Sequence, residues 1–233
     1  VGVAPLKIGN SIVSDSEKKA EALSSQFKSV FTEEDTTNMP SLGQPCTPHM
    51  EHIVISPNGV EKMLQGLNPS KASGPDQIPP WYLKMTATEI APVLTNIFQH
   101  SLDTGEIPKD WRDANICAIF KKGDRAVPGN YRPVSLTCIS CKLLEHIIHS
   151  HVMKHLESFN ILTDYQHGFR AKRSTETQLI LTAHDIAGAL NSKKQVDLAI
   201  LDFTKAFDKV PHSRLITKLE HYGIQGTTLN WLK

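Results

Sequence analysis

The chain has 233 residues, four cysteines and a net charge of +1. This length allows one large domain or two small ones, and every apolar stretch is shorter than the roughly 18 residues that a membrane-spanning helix needs. The few cysteines predict reduced thiols in an intracellular protein. Residues 1–110 carry no arginine and a net charge of −5, whereas residues 111–233 carry +6. The second half is therefore the better candidate for binding phosphate groups.

The first half of the chain is predicted to be mainly helical. Asp15 or Ser16 caps a helix whose apolar residues recur through Phe31. Residues 33–50 are acidic, polar and contain prolines, which predicts a linker or a poorly ordered loop. The other predicted features are a helix that begins at Ser56-Pro57, a turn at Gly74-Pro75-Asp76 and a helix over residues 88–102 that ends at Thr104-Gly105.

The second half begins with a predicted hairpin. Two apolar strands, residues 115–120 and 130–136, flank the basic turn that starts at Lys121. Helices are predicted over residues 141–157 and from Ser174 to about Leu190. The face of the second helix that is predicted to be buried comprises Leu179, Ile180, Ala183, Ile186, Ala187 and Leu190.

The stretch from Val196 to His212 reads VDLAILDFTKAFDKVPH. The run Leu198–Leu201 predicts a buried strand that ends on Asp202, which places that carboxylate at the rim of a sheet. A short helical turn over residues 204–209 follows, and Pro211 ends it. A carboxylate in this position suits a two-metal phosphoryl-transfer site, because Mg²⁺ prefers oxygen ligands. The alternative for one aspartate taken alone is a solvated turn residue.

The segment LDFTKAFDKVPH resembles the first catalytic motif, motif A, of reverse transcriptases from non-LTR (LINE-type, jockey-like) retrotransposons. Three further stretches resemble that family in the same order along the chain: KASGPDQIPPWYLK from residue 71, KKGD with NYRPVSL from residue 121, and QHGFRAKRST from residue 166. The resemblance implies an α+β fold: truncated reverse-transcriptase fingers and palm, helix-rich with a small antiparallel sheet.

The resemblance also implies a division of the chain. Residues 1–50 are expected to form a linker that follows an absent endonuclease, and residues 51–110 a helical N-terminal extension. Residues 111–195 correspond to the fingers. Residues 196–233 correspond to the start of the palm.

The roles of individual residues follow from the same resemblance. Asp202 is the expected catalytic metal ligand, together with the backbone carbonyl of Phe203. Arg132 is expected to bind the triphosphate with help from Lys121 or Lys122. Phe207 lies where the family has an aromatic ring under the sugar, which favours deoxynucleotides. Its alternative is an ordinary core residue, and the alternative for the lysines is a hydrophilic hairpin turn.

Nucleic-acid contacts are expected from Gln166 and Arg170, and from Lys71 near the template RNA. Lys172 and Arg173 are equally well explained as solvated residues at the start of a helix. Gly168 is expected to let the backbone approach a ligand closely.

Two other interpretations are open. Cys138 and Cys141, followed by four histidines, suggest a zinc site, although the histidines fall inside a strongly periodic helix. Mitochondrial group II intron maturases share much of the fold, but their strings differ from those quoted above.

The expected function is part of an RNA-directed DNA polymerase, with Mg²⁺ or Mn²⁺ as cofactor in the intact enzyme. The expected partners are an RNA template, a DNA primer, deoxynucleotides and a missing C-terminal palm and thumb, without a membrane. The chain has no Asp-Asp pair, so these 233 residues are expected to be inactive alone. A non-catalytic nucleic-acid-binding remnant of a decayed element is the alternative. The expected location is the cytoplasm and nucleus, as a ribonucleoprotein.

Overall fold

A computed structural model describes residues 2–233, in which helices predominate. The helices are α1 (Ser16–Lys28), α2 (Pro57–Gln65), α3 (Pro80–Met85), α4 (Ala87–Thr104), α5 (Lys109–Arg112), α6 (Ile139–Ser158), α7 (Thr175–Asn191), α8 (His212–His221) and α9 (Gly226–Leu232). The strands are β1 (Leu6–Ile8), β2 (Ser11–Val13), β3 (Asn115–Phe120) and β4 (Tyr131–Leu136). β1 pairs with β2 and β3 pairs with β4, both antiparallel. This arrangement agrees with the predicted α+β class and with the predicted hairpin.

The main core lies between α2, α4, α6 and α9. Leu64, Phe98 and Leu144 are fully buried there, one from each of the first three helices. From α9, Trp231 enters the same core and its indole N–H donates to Ser101 Oγ at 3.0 Å. Helices of the predicted N-terminal extension and of the predicted start of the palm therefore share one core. The stripe of apolar residues on each helix packs against helices from a distant part of the chain.

A smaller core holds the β3–β4 hairpin against the N-terminus. Leu6 of β1, Leu23 of α1 and Tyr131 of β4 are buried together. The amide of Lys7 donates to the carbonyl of Ala126 at 2.7 Å, which ties β1 to the loop of the hairpin. The hairpin therefore has one face covered by α1 and one face open to solvent.

The helix ends follow the predicted capping residues. Asp15 accepts from the Lys18 amide at 3.0 Å, and Ser56 accepts from the Gly59 amide at 3.1 Å. Gly105 ends α4 with φ 75°, a left-handed conformation that glycine adopts at little cost. The prediction was too long for α1, which ends at Lys28. Phe31 therefore lies outside it and is 60% exposed.

The predicted helix after Ser174 is present as α7, but its predicted buried face is wrong. None of its residues is buried, and Leu179 and Ile180 are 62% and 66% exposed. The physical reason is that none of the described elements covers this apolar face. Periodicity therefore located the helix correctly without locating a partner for it.

The predicted turn at Gly74 brings the chain against the entrance of α6. A Cβ atom at Gly74 would lie 2.4 Å from the backbone nitrogen of Cys138 and 2.6 Å from its Cα. Only glycine fits such an approach between two backbones.

No helix within residues 2–233 is long and apolar enough to cross a membrane.

Candidate active site

The segment with Asp202 has no regular secondary structure from residue 194 to residue 203. Leu198, Ile200 and Leu201 are 66%, 85% and 88% exposed. The prediction of a buried strand at residues 198–201 is therefore wrong. In the described part of the chain β3 and β4 pair only with each other, so this segment has no neighbouring strand to satisfy its backbone groups or cover its side chains.

The turn after Asp202 is confirmed and lies beside the QHGFR loop. Residues 204–209 form consecutive turns, and the Lys209 amide donates to the Lys205 carbonyl at 3.1 Å. The ring of Phe207 packs edge-to-face on Phe169, with ring centres 5.8 Å apart. Two motifs that are far apart in the sequence are thus in contact. Phe207 is 76% exposed, which excludes its alternative as a core residue in this structure.

A cavity of about 820 Å³ lies between α1 and the inner face of the β3–β4 hairpin. Its walls are mostly apolar, with Leu23 and Phe27 on the helix side and Pro133 on the strand side. Asp208, the residue after Phe207, also lines it. The turn that follows Asp202 therefore reaches the inner face of the hairpin.

Arg132 lies on the other face of the hairpin. Successive residues of a strand point to opposite faces, and Pro133 and Ser135 face the cavity. Arg132 is accordingly exposed on the outer face, opposite Ile119 in the ladder. Neither Arg132 nor Asp202 lines the cavity. That these two residues face a common nucleotide pocket stays a prediction.

The basic turn of the hairpin is braced by backbone contacts. The amide of Lys121 donates to the Asn130 carbonyl at 2.9 Å, and Gly123 has φ 87°. The guanidinium of Arg125 stacks over Phe120, 4.7 Å from the ring centre. Lys121 and Lys122 are both exposed. The turn can thus present two ammonium groups to an anion while its backbone stays fixed.

Arg170 is tied to the end of α6. Its Nη1 donates to the Thr163 carbonyl at 3.0 Å, and its Nε lies 3.5 Å from Glu157 Oε1. The side chain is only 12% exposed. Arg170 is therefore largely turned inward, whereas Gln166 is exposed. The template roles of both residues stay predictions.

His167 is a structural residue that the sequence did not reveal. It is buried, and its Nδ1 lies 2.7 Å from Thr177 Oγ1 in the first turn of α7. This contact holds the QHGFR loop on the helix that follows it. The neighbouring Arg173 pairs with Asp164 at 2.7 Å, so part of the positive charge of this loop is neutralised locally.

Lys71 lies on the surface near the start of α6. It lines a cavity of about 360 Å³ together with Asn68 and Lys142. The close approach at Gly74 holds this turn in place. Lys71 is exposed, and its contact with template RNA stays a prediction.

The Cys138–Cys141 pair is buried and hydrogen-bonded to backbone. The two Sγ atoms lie 3.2 Å and 3.9 Å from the carbonyl oxygens of Asp110 and Trp111. Burial raises the pKa of the Cys138 thiol, and it raises the pKa of Cys141 to about 12. Within residues 2–233 no histidine joins the two thiols in a group of three or more side chains that could hold a metal ion.

The predicted Mg²⁺ ligands lie in the exposed segment that contains Asp202. Asp202 and the Phe203 carbonyl offer oxygen atoms, the donor type that Mg²⁺ takes. Within residues 2–233, however, no group of three or more His, Cys, Asp or Glu side chains could hold a metal ion. Metal binding by Asp202 and Phe203 therefore stays a prediction.

Comparison with a family model agrees with the motifs. Residues 119–233 match the family described as reverse transcriptase (RNA-dependent DNA polymerase). The matched range contains Arg132, the QHGFR loop and the Asp202 segment.

Curated relatives match over a longer part of the chain. The probable RNA-directed DNA polymerase from transposon BS of Drosophila melanogaster is 28% identical, over 93% of this chain and 25% of that protein. The probable RNA-directed DNA polymerase from transposon X-element of the same fly is 28% identical, over 83% of this chain and 22% of the relative. The RNA-directed DNA polymerase from mobile element jockey of Drosophila melanogaster is 29% identical, over 68% of this chain and 18% of that protein. The chain thus spans a quarter or less of the length of these relatives. Residues 119–233 belong to the reverse transcriptase family, and the chain is similar over most of its length to RNA-directed DNA polymerases of non-LTR retrotransposons.

Proposed function

We propose that this chain is a section of an RNA-directed DNA polymerase that copies retrotransposon RNA by two-metal nucleotidyl transfer. The observation that carries the proposal is the family match over residues 119–233, which contains the hairpin, the QHGFR loop and Asp202 in order. The contact between Phe169 and Phe207 supports it, because two of these motifs meet in space.

The proposed nucleotide site draws on two elements. The Asp202 carboxylate and the Phe203 carbonyl would hold Mg²⁺ or Mn²⁺, which supplies charge for the attacking and leaving oxygens. Arg132, with Lys121 or Lys122, binds the triphosphate, since a guanidinium matches phosphate geometry bidentately. Phe207 lies under the sugar and excludes a 2′-hydroxyl.

The proposed nucleic-acid path runs along the QHGFR loop and the turn at Lys71. Gln166 and Arg170 contact the template, and Lys71 adds a phosphate contact upstream. Residues 111–195 act as fingers and residues 196–233 as the start of the palm. Residues 1–110 form the linker and helical extension before them. The proposed location of the working protein is the cytoplasm and nucleus, as a ribonucleoprotein.

The 233 residues alone are expected to extend no primer. Two-metal transfer needs at least a second carboxylate beside Asp202, and the described residues bring none into a metal-binding group with it. The second candidate function, a nucleic-acid-binding remnant without catalysis, needs only exposed basic residues such as Lys121, Lys122 and Arg132.

A primer-extension assay separates the two candidates. A polymerase of the relatives' length that contains these residues is given an RNA template, a DNA primer and deoxynucleotides. We expect extension, lost in Asp202→Asn and kept in the control Asp197→Asn, which removes an exposed carboxylate from the same segment. Equal extension by both variants would refute the catalytic role of Asp202. Binding of the RNA–DNA hybrid without any extension would support the remnant.

A further inference from the structure

Residues 32–50, named the strap here, run along α8, the helix that follows the Asp202 segment. The strap has no helix or strand, as its composition predicted. It is nevertheless joined to α8 by hydrogen bonds. At the start of α8, the Glu34 carboxylate accepts from two backbone amides, Ser213 at 2.9 Å and Arg214 at 3.0 Å. These contacts join residues about 180 positions apart in the sequence.

The strap also holds the other end of α8. The Cys46 amide donates to the His221 carbonyl at 3.1 Å, and the Met50 amide donates to the Gly223 carbonyl at 2.8 Å. A Cβ atom at Gly223 would lie 2.2 Å from the Pro48 carbonyl oxygen, so strap and chain are in close contact. Nε2 of His155, on α6, donates to the Tyr222 carbonyl at 2.7 Å. Both ends of α8 are therefore anchored to the rest of the molecule.

The strap also contacts the end of the turn that contains Phe207. The Thr32 hydroxyl donates to the Lys209 carbonyl at 3.2 Å. Lys209 closes the turn that contains Phe207, and Asp202 lies just upstream in the segment that lacks sheet partners. The downstream end of this loop is consequently held by α8 and by the strap.

Glu34 supplies the cap that α8 lacks locally. Pro211, at the N-cap position, makes no side-chain hydrogen bond to the helix. The first amides of a helix need acceptors, and a negative charge there is favoured by the helix dipole. The hydrogen bond from the Ser213 amide is the main cause that lowers the pKa of Glu34 below its ordinary value of 4.5. Arg214, the charged residue that faces it from α8, acts in the same direction.

We infer that Glu34 is a positioning residue for the nucleotide site, fixing through α8 the end of the loop that carries Asp202 and Phe207. The inference rests on the proposed function for its catalytic meaning. Its geometric part, the capping of α8 by a strap residue, concerns this chain alone. An acidic residue from the predicted linker thereby takes part in forming the site.

The geometric part is tested on the 233-residue chain by nuclear magnetic resonance. We expect the amide protons of Ser213 and Arg214 to titrate together with a midpoint below 4.5, because the carboxylate that accepts from them has a lowered pKa. The bond is present above that midpoint and is lost as the pH falls through it. Glu34→Gln removes the titration, and Glu33→Gln, an exposed neighbour, keeps it. Unchanged titration in Glu34→Gln would overturn the inference.

Hydrogen exchange measures whether the loop depends on the cap. Loss of an N-cap destabilises a helix end enough to raise local exchange roughly fivefold, so the amides of residues 204–215 exchange faster in Glu34→Ala by about that factor. Glu34→Asp, which keeps the charge, recovers part of the protection. Equal exchange rates in wild type and Glu34→Ala would contradict the positioning of the loop.

The catalytic part is tested in a polymerase of the relatives' length that contains this chain. We expect Glu34→Ala to raise the KM for deoxynucleotides about fivefold, with Glu34→Asp between it and wild type and unchanged affinity for the RNA–DNA hybrid. An unchanged KM, with the amide titration lost, would reduce Glu34 to a structural cap and overturn the inference. A wild-type polymerase that extends no primer would instead refute the proposed function, and the amide titration would remain.

Discussion

At the scale of single residues, the structure separates exposed candidate side chains from those that hold the loops. Asp202, Phe207 and Arg132 are exposed, as groups that meet a nucleotide must be before it binds. Arg170 and His167 are turned inward and bonded to neighbouring elements. The first three are thus accessible to a nucleotide. The bonds of Arg170 and His167 fix the loop from which Phe169 contacts Phe207, and Arg170 keeps its proposed template contact.

The proposed role of Phe207 under the sugar predicts a change in sugar selection. In a polymerase of the relatives' length, Phe207→Ala removes the ring that would collide with a 2′-hydroxyl, so the ratio of ribonucleotide to deoxynucleotide incorporation should rise at least tenfold, the effect of about 1.4 kcal/mol. Competition assays with single nucleotides measure this ratio. Phe207→Tyr keeps the ring and should keep the selectivity, and an unchanged ratio in Phe207→Ala would contradict the assignment.

Residue types could be predicted from the sequence better than residue surroundings. The string around Asp202 identified the family, because a motif is a local pattern. The structural role of His167 could not be predicted, because its hydrogen bond to Thr177 forms only when the loop folds back onto α7. The sequence predicts a template contact for Arg170, whereas its inward orientation beside Glu157 of α6 is indicated by no local pattern.

At the scale of elements, capped helices and the hairpin were predicted well, whereas burial was not. Asp15, Ser56 and Ser174 cap their helices with side-chain hydrogen bonds that depend on nearby residues only. The strand at residues 198–201 and the buried face of α7 were wrong because both require partners from elsewhere in the molecule. The two long helices α6 and α7 should therefore contribute unequally to the free energy of unfolding, because α6 has buried side chains and α7 has none.

This difference predicts unequal effects of alanine substitution. Leu144→Ala in α6 removes a side chain that is fully buried and should lower the free energy of unfolding by about 2–5 kcal/mol. Ile180→Ala in α7 removes a side chain that is 66% exposed and should change it by no more than about 0.5 kcal/mol. Urea denaturation of the purified chain measures both. Similar losses would show that α7 is packed in solution.

The turn at Gly74 predicts a second contrast. Gly74→Ala places a Cβ 2.4 Å from backbone atoms of Cys138, so the turn or the start of α6 must move and the chain should lose stability. Gly188→Ala in α7 meets no atom within 4 Å and should stabilise the helix by up to about 1 kcal/mol. Thermal unfolding of the two variants compares them directly. A stable Gly74→Ala variant would refute the close approach.

At the scale of the whole molecule, distant segments share cores and contacts. Trp231 packs with α4, and the strap joins residues near the N-terminus to α8. Such pairings depend on the three-dimensional fold, because their sequence separations exceed any local pattern. They could not be predicted from composition, which indicated only a linker for the strap.

The position of Trp231 predicts the cost of detaching α9. Trp231→Ala should lower the free energy of unfolding by about 3–5 kcal/mol, since the side chain is 8% exposed in the main core. Trp231→Phe keeps most of the volume and should cost about 1 kcal/mol for the bond to Ser101. Trp81→Ala, at a site that is 49% exposed, is the control. A loss for Trp81→Ala as large as that for Trp231→Ala would contradict the assignment of the core.

The most direct test of the central claim, that Asp202 and Arg132 serve one nucleotide site, is cleavage by radicals generated at bound iron. Fe²⁺ replaces Mg²⁺ in a polymerase of the relatives' length that contains this chain, with primer, template and deoxynucleotide bound, and the cut positions are mapped by mass spectrometry. We predict cuts at residues 202–203 and in β4 around residue 132, both lost in Asp202→Asn. Cuts at residues 202–203 without any in the hairpin would place Arg132 away from the site and contradict the account.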